Sequence, residues 1–190
     1  MEKAVLSIDV GTTGSKIIAF NPRGDAVFTS YVSYKTITPE VGYCELSPDE
    51  VWQKIYSTLR KIPVDSLDIK VISVSSLGEA AVLIDKAGNV IENSILYNDI
   101  RGIGEIEEVV SMISKDEIQL ITGQPLSHLH TLLKLLWIKK YRPESYKQIN
   151  KIMFFADYIV YKLTGSIVTD YSLAARSLLF DIRKYCWSER

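Results

Sequence analysis

The first thirty-four residues show the two-residue alternation that is typical of β-strands. Residues 4–9 (AVLSID) and 16–20 (KIIAF) are rich in β-branched and apolar residues, and residues 26–34 (AVFTSYVSY) continue the pattern. A short glycine-bearing loop separates the first two segments, and residues 21–25 (NPRGD) form a turn signal before the third. The pattern therefore predicts an antiparallel meander of three strands.

Further along the chain, predicted strands and helices are interleaved. Ser47 can cap a helix in which Pro48 takes the first position and acidic residues follow, as helix N-termini prefer. The pattern predicts helices at 48–61, 103–114, 116–121, 129–140 and 157–163, buried strands at 69–75 and 80–85, a short strand at 151–155 and an extended segment at 90–97. A meander followed by interleaved elements indicates an α/β fold whose mixed sheet is flanked by helices.

Composition narrows the class of protein. The chain has 190 residues, 47% of them hydrophobic and 24% charged, enough for one sizeable core. Its net charge of −1, without a basic run, argues against a nucleic-acid partner. No apolar run approaches the ~18 residues of a membrane span, and no signal segment precedes the first strand. Cys44 and Cys186 stand far apart, which predicts reduced thiols and a cytoplasmic location.

The loop at residues 9–16 (DVGTTGSK) carries more polar groups than a turn needs. Glycine lets backbone N–H groups approach an anion, hydroxyls can donate to phosphate oxygens, and the Asp9 carboxylate could hold Mg²⁺ directly or through water. The alternative is a plain hairpin whose glycines serve the turn. Lys16 is equally well explained as a solvated strand residue. The residues assigned to phosphate or ATP binding are Gly11, Thr12, Thr13, Ser15 and Lys16.

Taken in order, several segments resemble the N-terminal part of the FGGY family of carbohydrate kinases. The resemblance covers essentially all 190 residues and is closest to the xylulokinase and gluconokinase groups. The segments are residues 9–13 (DVGTT), 45–52 (ELSPDEVW), 74–79 (VSSLGE), 97–101 (YNDIR), 122–123 (TG) with 134–137 (KLLW), 157–165 (DYIVYKLTG) and 169–172 (TDYS).

This resemblance implies a ribonuclease-H-like domain of the actin and hexokinase type, and transfer of the γ-phosphoryl group of ATP to a sugar, sugar acid or polyol hydroxyl. It places Asp9 on Mg²⁺, through water. It also implies that residues 1–190 are an incomplete N-terminal domain, with the general base and the adenine-binding domain beyond Arg190, so that the fragment alone should be inactive. A homodimer is compatible with the full-length enzyme.

Two loops are expected to bind the sugar. Family members place an Arg-Glu pair (glycerol kinase) or commonly Met-His (xylulokinase and gluconokinase) where this chain has Gly78-Glu79. This departure leaves the identity of the sugar open, although Glu79 can still accept from two hydroxyls. In the second loop, a local ion pair between Asp99 and Arg101 is the alternative to substrate contact. The expected substrate-binding residues are Gly78, Glu79, Tyr97, Asn98, Asp99 and Arg101.

Two other functions stay open on the sequence. An ATPase of the actin or heat-shock-chaperone type would share the hairpin and use water as the nucleophile, but it is not expected to contain the 97–101 loop. A non-catalytic binding or regulatory module would follow if the 190 residues were the natural full length. His128 and His130 lie two residues apart, which does not suit a helical metal pair.

Overall fold

The computed structural model describes residues 1–189, which form ten strands and seven helices. The strands are β1 (Glu2–Val10), β2 (Gly14–Phe20), β3 (Ala26–Ser33), β4 (Glu45–Leu46), β5 (Leu67–Ser76), β6 (Ala81–Ile84), β7 (Ser94–Ile95), β8 (Lys151–Phe154), β9 (Phe180–Asp181) and β10 (Cys186–Trp187). The helices are α1 (Pro48–Leu59), α2 (Ile106–Met112), α3 (Lys115–Thr122), α4 (Thr131–Tyr141), α5 (Pro143–Gln148), α6 (Phe155–Thr164) and α7 (Tyr171–Arg176).

The principal sheet has four strands in the order β3-β2-β1-β5. The first three strands pair antiparallel, as the meander prediction requires, and β5 pairs with β1 in parallel. The predicted mixed sheet is therefore confirmed. Because β1 and β5 are parallel, their carboxyl ends lie at the same end of the sheet, and the loops that follow them are brought together there.

Helices α1 and α6 cover one face of this sheet. Ser47 caps α1 by accepting a hydrogen bond from the Glu50 N–H (3.2 Å), as predicted from the sequence. The buried residues Val51 and Ile55 of α1 belong to one apolar cluster with Leu6 of β1 and with residues of α6. This packing fixes the orientation of β1, and with it the position of the loop that follows.

The opposite face of the sheet is open in the described residues. Val5 and Val71 lie opposite each other on neighbouring strands and are 45% and 55% exposed. The prediction that residues 69–75 form a buried strand is wrong, because β5 is an edge strand and five of these seven residues are exposed. The apolar sequence indicated a strand correctly but could not show which of its faces is covered.

Other differences lie in short elements. The polar segment 142–150 contains helix α5, which has no buried residue and therefore no apolar periodicity to indicate it. Helix α7 was also missed, although Asp170 caps it by accepting from the Leu173 N–H. The extended segment 90–97 contains only the two-residue strand β7. Within residues 1–189, none of the helices has the length and apolar character to cross a membrane.

Candidate functional site

The phosphate-loop candidate joins β1 to β2 and is closed by backbone hydrogen bonding. The Gly11 N–H donates to the Gly14 carbonyl (2.9 Å), so residues 11–13 form a tight connection. Thr13 is exposed and Thr12 is half-buried. Lys16 is also exposed. The predicted phosphate residues are thus brought to one end of the sheet, where Ser15 differs from the others in having its side chain in the core.

Ser15 supports this loop through Tyr34, a residue that the sequence reasoning missed. The Tyr34 hydroxyl donates to the Gly11 carbonyl (2.6 Å). Since a phenol has only one proton, the Ser15 hydroxyl is the donor in its 3.1 Å contact with the Tyr34 oxygen. Burial raises the pKa of Tyr34 to about 12, so the phenol remains protonated. No motif marks Tyr34, because it acts from the segment after β3.

Gly14 is required by close packing, and its replacement gives a first testable prediction. A Cβ atom at position 14 would lie 2.2 Å from the Tyr31 hydroxyl and 2.7 Å from the Val32 carbonyl oxygen. We expect Gly14→Ala to lower the free energy of unfolding by about 1–3 kcal/mol, as overpacking does elsewhere. Urea denaturation measures this change. Gly104→Ala is the matched control, because a Cβ there meets open space; equal losses in both variants would contradict the packing argument.

Asp9 lies at the carboxyl end of β1 with its side chain exposed. It stands opposite Lys16 on β2 and opposite Ser75 on β5, and the Ser75 hydroxyl donates to Asp9 Oδ1 (2.7 Å). Residues 1–189 contain no cluster of three or more His, Cys, Asp or Glu side chains suited to a metal. Mg²⁺ is commonly held by only one or two carboxylates together with water and phosphate oxygens, so a single exposed carboxylate beside a phosphate loop fits that ion.

The first sugar-loop candidate follows β5 directly. The Leu77 N–H donates to the Val10 carbonyl (2.9 Å), which holds the start of this loop against the end of β1. Gly78 and Glu79 come next and are half-buried. The Glu79 carbonyl accepts from the Thr131 hydroxyl (2.9 Å), and its carboxylate forms an ion pair with Arg176. The predicted sugar loop therefore lies beside the predicted phosphate loop.

The second loop divides its residues between surface and core. Tyr97 and Asn98 are exposed, whereas Asp99 and Arg101 are buried. The Arg101 guanidinium contacts Asp99 through two nitrogens (2.9 and 2.5 Å) and Glu45 through a third (2.8 Å). Burial favours a higher pKa for Asp99, but hydrogen bonds from Arg101 and from the Cys44 N–H outweigh it and lower the pKa. This geometry favours loop anchoring over substrate contact for Asp99 and Arg101.

Lys134 of helix α4 contacts the backbone of the same loop. Its ammonium group donates to the carbonyl oxygens of Asp99 (2.7 Å) and Arg101 (2.5 Å). Lys134 lies in a segment that carries the family resemblance, but its role could not be predicted from the sequence. Because its partners are backbone atoms 33 and 35 residues away, no local pattern could have indicated them.

The first turn of α4 also positions the residues around Glu79. The Thr131 hydroxyl binds the Glu79 carbonyl, the Leu132 N–H donates to the Ser177 carbonyl (3.0 Å), and His130 Nδ1 lies 3.0 Å from the Arg176 carbonyl. Since a carbonyl only accepts, His130 Nδ1 carries the proton. His130 is buried, and burial lowers its pKa. One helix turn therefore holds both candidate sugar loops and the end of α7.

Burial of Lys134 predicts a distinctive pH dependence. Burial lowers its pKa from 10.5 to about 8, with the Asp99 charge opposing this change and the Arg101 charge adding to it. Between about pH 8 and pH 10.5 this lysine is protonated in the unfolded chain and largely neutral in the folded chain, so the unfolded chain binds more protons than the folded one. The free energy of unfolding should therefore rise with pH across this interval, by up to about 3 kcal/mol. The neutral amine still has two N–H groups for the two carbonyls.

Urea denaturation across this pH interval measures the effect. The rise should vanish in Lys134→Met and persist in Lys139→Met, which changes an exposed lysine on the same helix. Parallel pH profiles for the wild type and Lys134→Met would show that this lysine keeps an ordinary pKa.

The mixed sheet, with a phosphate-loop candidate and a polar loop at one edge, defines a domain of the actin and hexokinase ATPase fold. Solved sugar kinases share it. The gluconate kinase from Lactobacillus acidophilus matches with a TM-score of 0.90 at 26% identity, covering 100% of this chain and 39% of that chain. The ligand-bound xylulose kinase from the same organism matches with a TM-score of 0.89 at 26% identity, covering 98% and 38%. The predicted fold class is confirmed.

The sequence profile of the FGGY family of carbohydrate kinases, N-terminal domain, matches residues 4–190, and the chain belongs to this family. The xylulose kinase of Staphylococcus xylosus is 36% identical over 97% of this chain and 38% of its own length. The gluconokinase of Bacillus licheniformis is 28% identical over 100% of this chain and 37% of its own length. The chain thus spans well under half the length of these relatives. The family resemblance found in the sequence is confirmed.

Proposed function

We propose that these residues form the N-terminal part of an ATP-dependent kinase that phosphorylates a hydroxyl of a sugar, sugar acid or polyol. The observation that carries this proposal is the adjacency of two loops at the carboxyl ends of β1 and β5. The Leu77 N–H binds the Val10 carbonyl, and Ser75 binds Asp9, so the phosphate-loop candidate and the Glu79 loop start from paired strand ends. Membership of a carbohydrate kinase family supports the same reading.

On the phosphate side, the chain supplies the loop and one carboxylate. Thr12 and Thr13 present hydroxyls and backbone N–H groups toward the phosphates, and Lys16 adds a positive charge near the start of β2. Tyr34 stabilises the loop by its hydrogen bond to the Gly11 carbonyl, and Ser15 supports Tyr34 from the core. Asp9 would hold Mg²⁺, which supplies positive charge for the negative charge on the transferred phosphoryl group.

On the sugar side, Glu79 accepts from substrate hydroxyls, and Tyr97 and Asn98 contact the sugar from the second loop. Asp99 and Arg101 act indirectly, by holding that loop through Glu45 and Lys134. The matched relatives include a xylulose kinase, a gluconokinase and a glycerol kinase, which differ in the substrate that each name gives. The substrate class proposed here therefore stays as broad as these three.

The general base and the adenine pocket belong, in this proposal, to the part of the relatives that the chain does not match. The chain corresponds to 38% of the length of the Staphylococcus xylosus enzyme. Small ligands are usually enclosed on most of their surface, so phosphate contacts on one side should give weak ATP binding by the chain alone. We place the complete enzyme in the cytoplasm, where its ATP is available.

A hybrid kinase tests the proposed function. In this hybrid, residues 1–190 replace the matching N-terminal segment of the Staphylococcus xylosus xylulose kinase. ADP formation is measured with Mg-ATP against a panel of ketoses, aldonates and polyols, beside the unmodified enzyme. We expect at least one compound to stimulate ADP formation, and the preferred compound to follow the transplanted residues.

Two outcomes would contradict the proposal. ADP formation that no compound stimulates would favour an ATPase that uses water as the nucleophile. A folded hybrid that forms no ADP, combined with sugar binding by the 190-residue chain, would favour a non-catalytic binding module. Circular dichroism of the hybrid, compared with that of the unmodified enzyme, shows whether it is folded.

A further inference from the structure

Arg176, at the end of helix α7, reaches the candidate sugar loop from a distant part of the sequence. Its guanidinium forms an ion pair with Glu79 and donates through Nη1 to Gln124 Oε1 (3.3 Å). The Arg176 side chain is 43% exposed, whereas that of Glu79 is 12% exposed. The cation of this pair is therefore accessible to a ligand, while the carboxylate lies deeper beneath it.

Gly78 provides the space in which this arginine lies. A Cβ atom built at position 78 would come 3.9 Å from both Cγ and Nε of Arg176, which is ordinary van der Waals contact. The side chain of Arg176 thus passes directly over Gly78. Gly78 has no side chain, and the Arg176 guanidinium from helix α7 lies beside the loop at this position.

The position of Arg176 is fixed by the helix that also fixes Glu79. His130 binds the Arg176 carbonyl, and the next residue, Thr131, binds the Glu79 carbonyl. Asp170 caps the start of α7. Because consecutive residues of one helix terminus hold both backbones, the two charged side chains are preorganised as a pair before any ligand binds.

We propose that Arg176 is a specificity-determining residue of the sugar site, whose guanidinium binds an oxygen of the substrate beside Glu79. This inference rests on the proposed function. A guanidinium has five N–H donors, so the contacts with Glu79 and Gln124 leave further donors for a ligand. Glu79 accepts from one hydroxyl, and Arg176 donates to a neighbouring oxygen. That oxygen belongs either to a hydroxyl of a neutral sugar or to the carboxylate of an aldonate.

Sugar binding by the 190-residue chain is the first test. D-xylulose, glycerol and D-gluconate are titrated into ¹⁵N-labelled protein, and the Arg176 Nε–Hε resonance is assigned by its loss in Arg176→Met. We expect at least one compound to shift this resonance. Arg176→Met should weaken binding of that compound about 10-fold or more, as loss of a charge-assisted hydrogen bond would, and Arg176→Lys should restore part of it. An unchanged Kd in Arg176→Met would overturn the inference.

Arg23→Met is the matched control, since Arg23 forms an exposed ion pair with Asp25 in the β2–β3 turn. It should leave sugar binding unchanged. A merely structural role for Arg176, linking α7 to the β5–β6 loop, would lower the urea midpoint of Arg176→Met while leaving the Kd of the folded protein at the wild-type value. That result would also overturn the inference.

The hybrid kinase separates failure of this inference from failure of the proposed function. We expect Arg176→Met to raise KM for the sugar about 10-fold or more with a smaller change in kcat, because a binding contact is removed. An effect confined to gluconate assigns the oxygen to a carboxylate, and an effect on xylulose or glycerol assigns it to a hydroxyl. A sugar-stimulated hybrid with unchanged KM overturns the role of Arg176 alone. Absence of sugar binding and of stimulated activity overturns both proposals.

Discussion

Asp9→Asn should lower kcat of the hybrid kinase by at least about 100-fold while leaving sugar affinity nearly unchanged. The replacement keeps the size of the side chain and an oxygen that can accept from the Ser75 hydroxyl. It removes only the negative charge that would hold Mg²⁺ next to the phosphate-loop candidate. The proposed sugar residue Glu79 has its ion pair with Arg176, so the proposed sugar contacts do not depend on the Asp9 charge.

Steady-state kinetics at several Mg²⁺ concentrations and sugar titrations of the 190-residue chain measure the two effects separately. Ser75→Ala removes the hydrogen bond to Asp9 without changing its charge, and it should alter kcat much less than Asp9→Asn does. Asp25→Asn controls for loss of an exposed carboxylate in another loop. A hybrid carrying Asp9→Asn with normal kcat and normal Mg²⁺ dependence would remove Asp9 from the mechanism.

Arg101→Met should lower the free energy of unfolding by about 3–5 kcal/mol, the usual cost of breaking a buried ion pair from one side. The substitution leaves the carboxylates of Asp99 and Glu45 buried without the guanidinium that contacts both. Tyr43 also loses the cation that lies 4.2 Å from its ring centroid. Urea denaturation of the 190-residue chain measures the change.

The exposed pair Arg23–Asp25 is the control, and Arg23→Met should cost only about 0–1 kcal/mol. The pH dependence provides a second signature. Since the folded pKa of Asp99 is lowered, its contribution to stability is present above the unfolded value of about 3.9 and is lost as the pH falls through the folded value. If Arg101→Met lowered the free energy of unfolding by less than about 1 kcal/mol, Asp99 and Glu45 would tolerate loss of the guanidinium, contrary to the rule for buried ion pairs.

Elements defined by local signals were predicted well from the sequence. The β1–β2 hairpin follows from alternation interrupted by glycines, and α1 from Ser47, Pro48 and the apolar spacing of its buried residues. These signals lie within a few residues of the structure that they specify. The order of strands and helices then predicted the mixed sheet, and the order of the family segments predicted the actin and hexokinase type of fold.

What the sequence could not predict depends on contacts between distant residues. The inward position of Arg101 requires Glu45, which lies 56 residues away, and the backbone of Asp99 is held by Lys134, which lies 35 residues away. Arg176 was missed for the same reason, because its partner Glu79 is on another loop and α7 has only six residues. The exposure of β5 likewise depends on which elements cover the sheet.

The segment that leaves β5 sets an upper limit on the distance between Ser75, which contacts the proposed metal residue Asp9, and Glu79, the proposed sugar residue. Ser75, which donates to Asp9, and Glu79, which pairs with Arg176, are joined by a continuous piece of backbone. Four residues of chain cannot extend beyond ~14 Å. The metal side and the acceptor side of the proposed reaction are therefore tethered covalently. The maximum spacing of these two residues depends on the number of residues between position 75 and position 79, and an insertion there would relax this limit.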